Sequence, residues 1–330
     1  MNYRIPYSFL RRLARGLMVL FLLLNGVAFL HAYRFTHFSD EEFLRSEMAT
    51  DLSWSHKLEM LFTGIRNPRP RNTEIPSIPY QTFTLPGTAL LEGWLMEASN
   101  PRGTHSRGTV VLFHGYAGWK AELLPVAEAF HSLGYRTVMV DFPGSGGSEG
   151  SNTTIGYREA QDVRTVYDYA REQFPDDPLI LYGFSMGSAA ILRAVSEYAI
   201  APDALILGCP FSTLYQTVQN RFRMLGVPPF PFAALLTFWG GVQHGYWAFG
   251  HNPADYAERV TIPTLLLYGP QDQRVSLAET KQVYQALAGP KQLELFEQAD
   301  HELYVVHDPA RWEEVMTSFL QFHLHKVCSH

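Results

Sequence analysis

The fold class of this 330-residue chain is decided by the stretch "PLILYGFSMGSAAILRAV", Pro178–Val195. An apolar run passes there into a helix-like pattern, with Ser185 at the joint and Gly183 and Gly187 two residues to either side. This pattern predicts a sharp strand-to-helix turn, because glycines fit where neighbouring backbone leaves no room for a Cβ. The turn would present the Ser185 hydroxyl at the N-terminus of a helix. The simpler interpretation is a serine N-cap with two incidental glycines.

Short apolar blocks alternate with longer helical segments on both sides of this turn. Such alternation predicts right-handed crossovers and an α/β fold, a mostly parallel sheet covered by helices on both faces. Two neighbouring segments, "YQTFTLP" and "ALLEGWLME", predict an antiparallel hairpin that leads into the sheet. The predicted strands are Thr109–Phe113, Arg136–Asp141, Leu179–Tyr182, Ala204–Leu207, Thr264–Tyr268 and Gln292–Phe296, and the predicted helices include Ala121–Leu133, Tyr157–Gln173 and Leu277–Leu287.

Ser185 is a candidate nucleophile, because functional loops lie at the carboxyl ends of parallel strands. A serine hydroxyl is a weak nucleophile and needs a base that a carboxylate orients. Asp272, in "TLLLYGPQDQRV", and His301, after the last predicted strand, follow Ser185 in the order serine, acid, histidine. Asp300 is a weaker candidate acid because adjacent side chains rarely point the same way, and His307 is better interpreted as a surface residue at a helix start. The predicted catalytic residues are Ser185, Asp272 and His301.

Attack by a serine on an acyl group creates an oxyanion, which preorganised amide hydrogens stabilise. One predicted donor is the N–H of Met186, directly after the nucleophile and at the helix start. The segment "HGYAG", His114–Gly118, follows the first predicted parallel strand and makes the N–H of Tyr116 the natural second donor. Taken alone, the His-Gly pair is also an ordinary turn signal.

The chain resembles the serine hydrolases of the α/β-hydrolase superfamily, because "HGYAG", "DFPGSGGSEG", "GFSMG", "GPQDQRV" and "ADH" occur in the order and spacing of that family. The resemblance covers about residues 80–325. Within the superfamily it is similar to small-lidded, membrane-tethered bacterial hydrolases of lysophospholipase-like or serine-aminopeptidase-like type. It implies that Ser185 forms an acyl-enzyme, that His301 is the base and that Asp272 orients it. Tyr116 and Ala117 replace glycines of the lipase pattern HGGG, which argues against very bulky esters.

The N-terminal region is predicted to cross a membrane. Five arginines and no acidic residue lie in the first 34 residues, and the uncharged stretch Gly16–Tyr33 is just long enough to span a bilayer. The arginines predict that the amino end stays in the cytoplasm and the catalytic domain lies outside it, in the periplasm if the source is bacterial. A cleavable signal peptide has the same layout, with Gly26 and Ala28 as a small-x-small site, and would give a secreted protein. The apolar length favours a retained single-pass anchor.

Between this segment and the sheet, the chain is expected to form a helical and proline-rich linker. Ser39–Glu42 has the spacing of a capping box, and apolar residues between Leu58 and Ile65 recur at helical spacing. Asn67–Pro79 has too many prolines for a helix or a sheet interior. The predicted regions are an anchor or signal over residues 1–34, the linker over 35–79, and a hydrolase domain over 80–330 with a short helical cap at about 211–253.

The predicted cap is unusually apolar, since Phe211–Phe249 contains ten aromatic residues and two charged ones, Arg221 and Arg223. Such a segment lines an acyl pocket beside Ser185, docks on a membrane, or simply packs over the core. With an outward-facing anchor, the favoured substrate is a lipid-like or long-chain acyl ester. A serine peptidase of the aminopeptidase-like branch is the alternative, although no carboxylate cluster for a substrate amine is evident in the cap. A catalytically inactive, tethered binding protein is the second alternative, because a fold does not guarantee activity.

The predicted partners are a small acyl ester or lipid substrate and, through the N-terminal segment, the membrane. Five of the 26 basic residues are the N-terminal arginines. The rest of the chain has 21 basic and 32 acidic residues, and this net negative charge argues against nucleic acid as a partner. Cys209 and Cys328 are too few for a disulfide scaffold. The predicted chemistry requires no metal or cofactor: "GSGGSEG" lacks the pattern of a phosphate-binding loop, and the tail His323–His330 is expected to fray rather than to hold a metal.

Overall fold

The computed structural model describes residues 6–40, 64, 67–98 and 106–324. Its centre is an eight-stranded sheet in the order β10-β9-β8-β7-β5-β6-β4-β3, and β1 and β2 form a separate two-stranded parallel sheet. Adjacent strands of the large sheet are parallel except β3 with β4 and β4 with β6. The strands are β1 (Phe38–Ser39), β2 (Asn67–Pro68), β3 (Gln81–Pro86), β4 (Leu90–Met96), β5 (Thr109–Phe113), β6 (Arg136–Val140), β7 (Leu179–Phe184), β8 (Ala204–Gly208), β9 (Thr264–Tyr268) and β10 (Lys291–Leu295).

Helices cover both faces of the large sheet, which confirms the predicted α/β class. One face packs against α3, α4 and α8, and the other packs against α2 and α10. The helices are α1 (Tyr7–Thr36), α2 (Leu124–Ser132), α3 (Glu159–Gln173), α4 (Met186–Tyr198), α5 (Leu214–Met224), α6 (Phe232–His244), α7 (Pro253–Ala257), α8 (Leu277–Ala286), α9 (Tyr304–His307) and α10 (Pro309–Leu324), with 3-10 turns at Lys120–Leu123 and Ala248–Gly250.

Strand β5 shows why the sheet has a core on each side. All five of its residues are buried, and alternate side chains point to opposite faces: Val111 and Phe113 enter one core, Val110 and Leu112 the other. Full burial of one such side chain contributes about 1.5–3 kcal/mol. A continuous apolar run, rather than an alternating one, is therefore the expected pattern for this central parallel strand.

The predicted hairpin is confirmed, because β3 pairs antiparallel with β4. The predicted helix Ala121–Leu133 is wrong at its start, where a 3-10 turn over Lys120–Leu123 precedes α2. The physical reason is Pro125, which lacks an amide hydrogen and is accommodated only in the first turn of an α-helix. The last predicted strand is displaced by one residue and spans Lys291–Leu295.

The proline-rich segment Asn67–Pro79 is largely irregular, as its composition predicts, but it is fastened to the domain. The Gly146 N–H donates to the Pro70 carbonyl at 2.8 Å, and the Asn72 amide donates to Asp141 Oδ2 at 2.8 Å. Ser39 of the predicted capping box ends β1 and is followed by exposed Asp40, while Glu41, Glu42 and the predicted helical segment Leu58–Ile65 lie outside the described residues, apart from Gly64. The division into three regions stays a prediction.

Asp162 on α3 is a buried carboxylate that clamps the β3–β4 turn. It accepts hydrogen bonds from the Thr88 N–H at 2.7 Å and the Thr88 hydroxyl at 2.8 Å. Burial raises the pKa of Asp162 to about 7, against the lowering effect of the two hydrogen bonds from Thr88, and the nearby charge of Glu159 adds to the rise. Folding is therefore linked to protonation of this group near neutral pH.

The pKa of Asp162 is higher in the folded protein than its value of about 4 in the unfolded chain. Between these two pH values the folded state therefore binds one more proton than the unfolded state. Stability from this group is fully present below pH ~4 and is lost as pH rises through 7. We expect Asp162→Asn, which keeps an oxygen acceptor for Thr88, to flatten this slope and to gain about 2–4 kcal/mol over the parent protein by pH 8. Urea unfolding at pH 5, 6, 7 and 8 measures it, with exposed Asp168→Asn on the same helix as control. Parallel pH profiles for parent and Asp162→Asn would contradict the linkage.

Candidate active site

Ser185 lies at a strained joint between β7 and α4. Its backbone has φ 52° and ψ −109°, a conformation that side chains with a Cβ rarely adopt. Such strain costs about 1–3 kcal/mol and persists only where surrounding structure enforces it. Here the Ser185 N–H donates to the Gly208 carbonyl at 2.8 Å, and the Ser188 hydroxyl contacts the carbonyls of Gly183 and Gly208. The predicted sharp turn is confirmed, with Ser185 half-buried at its apex.

The two flanking glycines are required by close backbone approach. A Cβ on Gly187 would lie 2.2 Å from the Phe113 carbonyl oxygen and 2.9 Å from that of His114. A Cβ on Gly183 would lie 2.6 Å from the Ser188 nitrogen. Because these neighbours are backbone atoms, they cannot rotate away. The pattern Gly-x-Ser-x-Gly is therefore a packing requirement of this turn.

Asp272 and His301 form a hydrogen-bonded pair beside this turn. Asp272 Oδ2 lies 2.7 Å from His301 Nδ1, and Asp272 Oδ1 accepts from the N–H groups of Arg274 and Val275 at 2.7 and 2.9 Å. Burial alone would raise the pKa of Asp272, but the hydrogen bond and charge of His301, followed by the two amides, hold it below its ordinary value. An ionised Asp272 accepts the Nδ1 hydrogen, which leaves His301 Nε2 as a proton acceptor.

The loop after β9, which carries Asp272, and the loop after β10, which carries His301, contact each other at Gly269. A Cβ at Gly269 would lie 2.4 Å from the Ala299 carbonyl oxygen and 2.7 Å from that of Asp300. The His301 ring also lies 5.1 Å from the Phe184 ring, centroid to centroid, and Phe184 directly precedes Ser185. The structure thus brings the predicted base and acid to the strand end that carries the predicted nucleophile.

Asp300 and His307, the weaker candidates for the acid and the base, bind other groups. The Asp300 carboxylate accepts from the backbone N–H of His301 at 2.7 Å, so it binds the loop rather than the imidazole. His307 Nε2 lies 3.0 Å from the Glu297 carbonyl, and its Nδ1 lies 3.1 Å from Glu302. Neither Asp300 nor His307 therefore takes part in the hydrogen bond between Asp272 and His301.

The predicted oxyanion loop is held by the buried side chain of His114. The Phe142 N–H donates to His114 Nε2 at 3.0 Å, so Nδ1 carries the hydrogen and donates to the Gly115 carbonyl at 2.8 Å. Burial lowers the pKa of His114 and keeps the ring neutral. Because the C=O and N–H of a trans peptide point opposite ways, this bond turns the N–H of Tyr116 away from His114. A Cβ on Gly115 would lie 3.6 Å from Ser185 Cβ, which places the loop beside the serine.

Comparison with known proteins identifies the fold family. The family model described as serine aminopeptidase, S33, matches residues 104–239. The esterase Pf2001 of Pyrococcus furiosus superposes with a TM-score of 0.63 at 24% identity, covering 78% of this chain and 97% of that chain. A lidless α/β serine hydrolase of Xanthomonas campestris, XC6422, superposes with a TM-score of 0.51 at 21% identity, covering 76% and 97%. The chain has the α/β-hydrolase fold.

Two relatives of this α/β hydrolase come from distant organisms. The uncharacterized protein YqkD of Bacillus subtilis is 24% identical over 215 residues, or 64% of this chain and 70% of that protein. The lysophosphatidylserine lipase ABHD12 of Danio rerio is 25% identical over 199 residues, or 57% of this chain. This chain spans about half of that lipase, 49% of its length. The comparisons support hydrolase activity for this chain.

Sequence reasoning missed the role of the Tyr116 side chain in this α/β hydrolase. The Tyr116 hydroxyl donates to the Phe35 carbonyl and accepts from the Asn67 amide at 2.9 Å, and its ring stacks on Phe35 at 4.7 Å. Asn67 also donates to the Arg34 carbonyl at 3.0 Å. The predicted oxyanion loop is thereby fastened to the C-terminal end of α1. No local pattern signals contacts between residues so far apart in the chain.

A second missed residue is Lys120, which is fully buried just after the oxyanion loop. Its ammonium lies 2.5 Å from Asp141 Oδ2, 2.7 Å from Glu92 and 4.4 Å from the centre of the Trp94 ring. Burial alone would raise the pKa of Asp141, but the charge of Lys120 holds it below its ordinary value. A buried lysine needs such partners, and this cluster holds the loop against the sheet.

The candidate anchor packs on the cap, which is formed by α5, α6 and α7 between β8 and β9. Trp239 Nε1 on α6 donates to Asn25 Oδ1 at 3.1 Å, and the Trp239 ring lies 5.3 Å from Phe29. The Gln243 amide donates to the Phe29 carbonyl at 2.8 Å. The predicted span Gly16–Tyr33 lies within α1, a helix long and apolar enough to cross a membrane.

Cys209 lies behind the Asp–His pair and completes a group of possible metal ligands. Cys209, Asp272 and His301 each have a ligand atom within 4.8 Å of the other two. The Cys209 sulfur lies 2.7 Å from the Tyr304 hydroxyl, and burial raises the pKa of the thiol well above its ordinary value. Metals bind the thiolate, so a protonated thiol fits poorly as a ligand. The expectation that the site uses no metal stays a prediction.

Gly187→Ala tests the packing requirement at the turn. Because the new methyl group would meet the Phe113 carbonyl at 2.2 Å, we expect a loss of about 3 kcal/mol in unfolding free energy. Gly240→Ala is the matched control, since a Cβ there has nothing within 4 Å and a glycine-to-alanine change inside a helix gains about 0.5–1 kcal/mol. Urea unfolding measures both, and equal stability of the two variants would refute the steric argument.

Proposed function

We propose that this α/β hydrolase cleaves carboxylic esters of lipid-like or long-chain acyl substrates through an acyl-enzyme on Ser185. The observation that carries the lipid part of this proposal is the packing of the cap on the candidate membrane helix, through Trp239 with Asn25 and Phe29. Support for ester chemistry comes from relatives named as a lysophosphatidylserine lipase and an esterase.

The proposed reaction begins with attack of Ser185 Oγ on the ester carbonyl carbon. His301 Nε2 takes the hydroxyl proton, while Asp272 holds Nδ1–H and stabilises the imidazolium. The carbonyl oxygen becomes an oxyanion, and the tetrahedral intermediate collapses as the proton passes from His301 to the departing alkoxide. Water then attacks the acyl-enzyme by the same route, with His301 again as base.

The oxyanion donors in this proposal are the N–H groups of Tyr116 and Met186. Met186 is the first residue of α4, and the first amides of a helix have no partner within the helix. The helix dipole adds a partial positive charge at this end. The N–H of Tyr116 is oriented by the hydrogen bond between His114 and the Gly115 carbonyl. Each such donor is worth about 2.7–4 kcal/mol in the transition state.

The position of α1 favours substrates that come from a membrane. Its apolar residues Leu17–Leu23 are exposed, whereas its last turns contact the cap and the oxyanion loop. The cap helix α6 exposes Phe238 and Val242 as well. A retained α1 would hold the cap near the bilayer, which shortens the path of a lipid from the membrane to Ser185.

The first alternative is a serine peptidase, which the description of the matching family model favours. An aminopeptidase needs an anionic group to bind the substrate amine, and the cap segment Phe211–Phe249 contains no Asp or Glu. The second alternative is an inactive binding protein. It predicts no labelling of Ser185 by a serine-reactive fluorophosphonate.

The full chain in detergent should hydrolyse p-nitrophenyl esters, with kcat/KM rising from acetyl to long acyl chains. Ser185→Ala should abolish activity, and Asp272→Asn should lower kcat by about 10³–10⁴ because the imidazole loses its orienting acceptor. Asp300→Asn is the matched control, since the Asp300 carboxylate accepts from the backbone N–H of His301, and it should change kcat less than fivefold, a bound well under the ~10²-fold that an acid–base group contributes. Activity confined to short esters would overturn the lipid assignment, and faster cleavage of aminoacyl p-nitroanilides would favour the peptidase.

A retained anchor should keep the protein in membranes after alkaline carbonate washing, with an intact N-terminus by mass spectrometry. The reason is that cleavage after Ala28 would remove the Asn25 contact with Trp239 and most of the apolar helix. A soluble mature chain that begins after Ala28 would show that the segment is a signal peptide.

A further inference from the structure

Arg221 is one of the two charged residues in the cap segment Phe211–Phe249, and its surroundings differ from those of Arg223. Arg223 is exposed, and its guanidinium donates to Asn220 Oδ1 at 2.7 Å. Arg221 Nε is enclosed, and it has no hydrogen-bond partner in the part of the chain that the structure describes. The Arg221 side chain as a whole is half-buried, but an enclosed N–H donor without a partner costs free energy, which a ligand that accepts a hydrogen bond from it would recover.

The helix periodicity explains why Arg221 points inward. Residues four and seven positions apart lie on one face of a helix, and Leu214, Val218 and Arg221 of α5 have this spacing. Leu214 and Val218 are buried in the core that also contains Phe113 and Met186. Arg221 therefore lies on the same face of α5, one turn further on, where it is half-buried.

The end of α5 lies against the loop that carries the catalytic acid. The Asn220 amide donates to the Arg274 carbonyl at 3.2 Å and to Glu279 at 2.7 Å. Burial lowers the pKa of Arg221, as does the charge of Arg274, while Tyr116 and Asp272 act on it in the opposite direction. Arg221 is thus within electrostatic reach of the oxyanion loop, of the Asp–His pair and of a second arginine.

We propose that Arg221 binds an anionic group of the substrate, a phosphate or a carboxylate on the alcohol side of the ester. The inference rests on the ester-hydrolase function proposed above, in which the acyl part is hydrocarbon and the polar group belongs to the alcohol. A guanidinium presents two parallel N–H donors that match phosphate and carboxylate oxygens. Exposed Arg274 adds a second positive charge near this position. The same cation repels the free amine of a peptide, which separates this substrate class from that of an aminopeptidase.

Three esters with one acyl chain test this assignment in the full-length protein: 1-oleoylglycerol, 1-oleoylglycerol 3-phosphate and the 1-oleoyl ester of glyceric acid. At equal mole fraction in detergent micelles, kcat/KM for an anionic ester should exceed that for the neutral ester at least tenfold. Arg221→Gln should reduce this ratio about tenfold, and Arg221→Lys should restore part of it. Arg223→Gln, on the same helix but exposed, should leave the ratio within twofold. The phosphate and carboxylate esters show which anion is preferred.

A second measurement does not depend on folding of the variants. Glycerol 3-phosphate should competitively inhibit hydrolysis of 1-oleoylglycerol by the parent protein, and glycerol should not. Equal kcat/KM for neutral and anionic esters, or an equal loss for all three in Arg221→Gln, would overturn the anion site. Ser185-dependent hydrolysis without anion preference would refute this inference alone. No fluorophosphonate labelling and no hydrolysis of any ester would refute the proposed function itself.

Discussion

The contact between the start of α4 and the end of β5 is the constraint on which the rest of the site depends. Gly187 approaches the Phe113 carbonyl so closely that an added Cβ would lie 2.2 Å from its oxygen. Only a residue without a side chain permits this approach, and a helix packed so tightly allows no other path for the preceding turn. Ser185 is therefore held in a strained conformation, with the start of α4 and the loop His114–Gly118 beside it. The strain is offset by the core on both faces of the sheet.

Buried polar side chains hold the loops around the Ser185 turn in place through hydrogen bonds and ion pairs. Burial keeps His114 neutral, so that its two ring nitrogens join the loops after β5 and β6. Lys120 is buried against Asp141 and Glu92. Asp272 is ionised because His301 and two amides donate to it. These fixed charges and dipoles need little reorganisation when charge develops, which is how preorganised sites lower barriers.

The N-terminal helix contacts both the cap and the predicted oxyanion loop. The end of α1 supplies the Phe35 carbonyl to Tyr116, and its middle contacts Trp239 of the cap. A helix that contacts both the cap and the predicted oxyanion loop links its own exposed apolar residues, Leu17–Leu23, with the residues proposed to act on the ester. The same cap carries Arg221, whose Nε is enclosed, so it contributes charge as well as apolar cover. The helix α1, the cap and the loops beside Ser185 consequently form one continuous set of contacts.

By itself, the sequence determined the sheet, the turn at Ser185 and the order of the serine, acid and histidine. These features are local: apolar runs specify buried strands, and glycines at fixed offsets specify one turn. Pro125 shows the limit of such reasoning even locally. Because proline fits only in the first turn of an α-helix, a 3-10 turn forms where the predicted helix was expected to begin. Only the tertiary structure decided that Tyr116 binds the end of α1, that Lys120 is buried and that Arg221 points inward. Each of these depends on contacts between segments far apart in the chain, which no periodicity or spacing records.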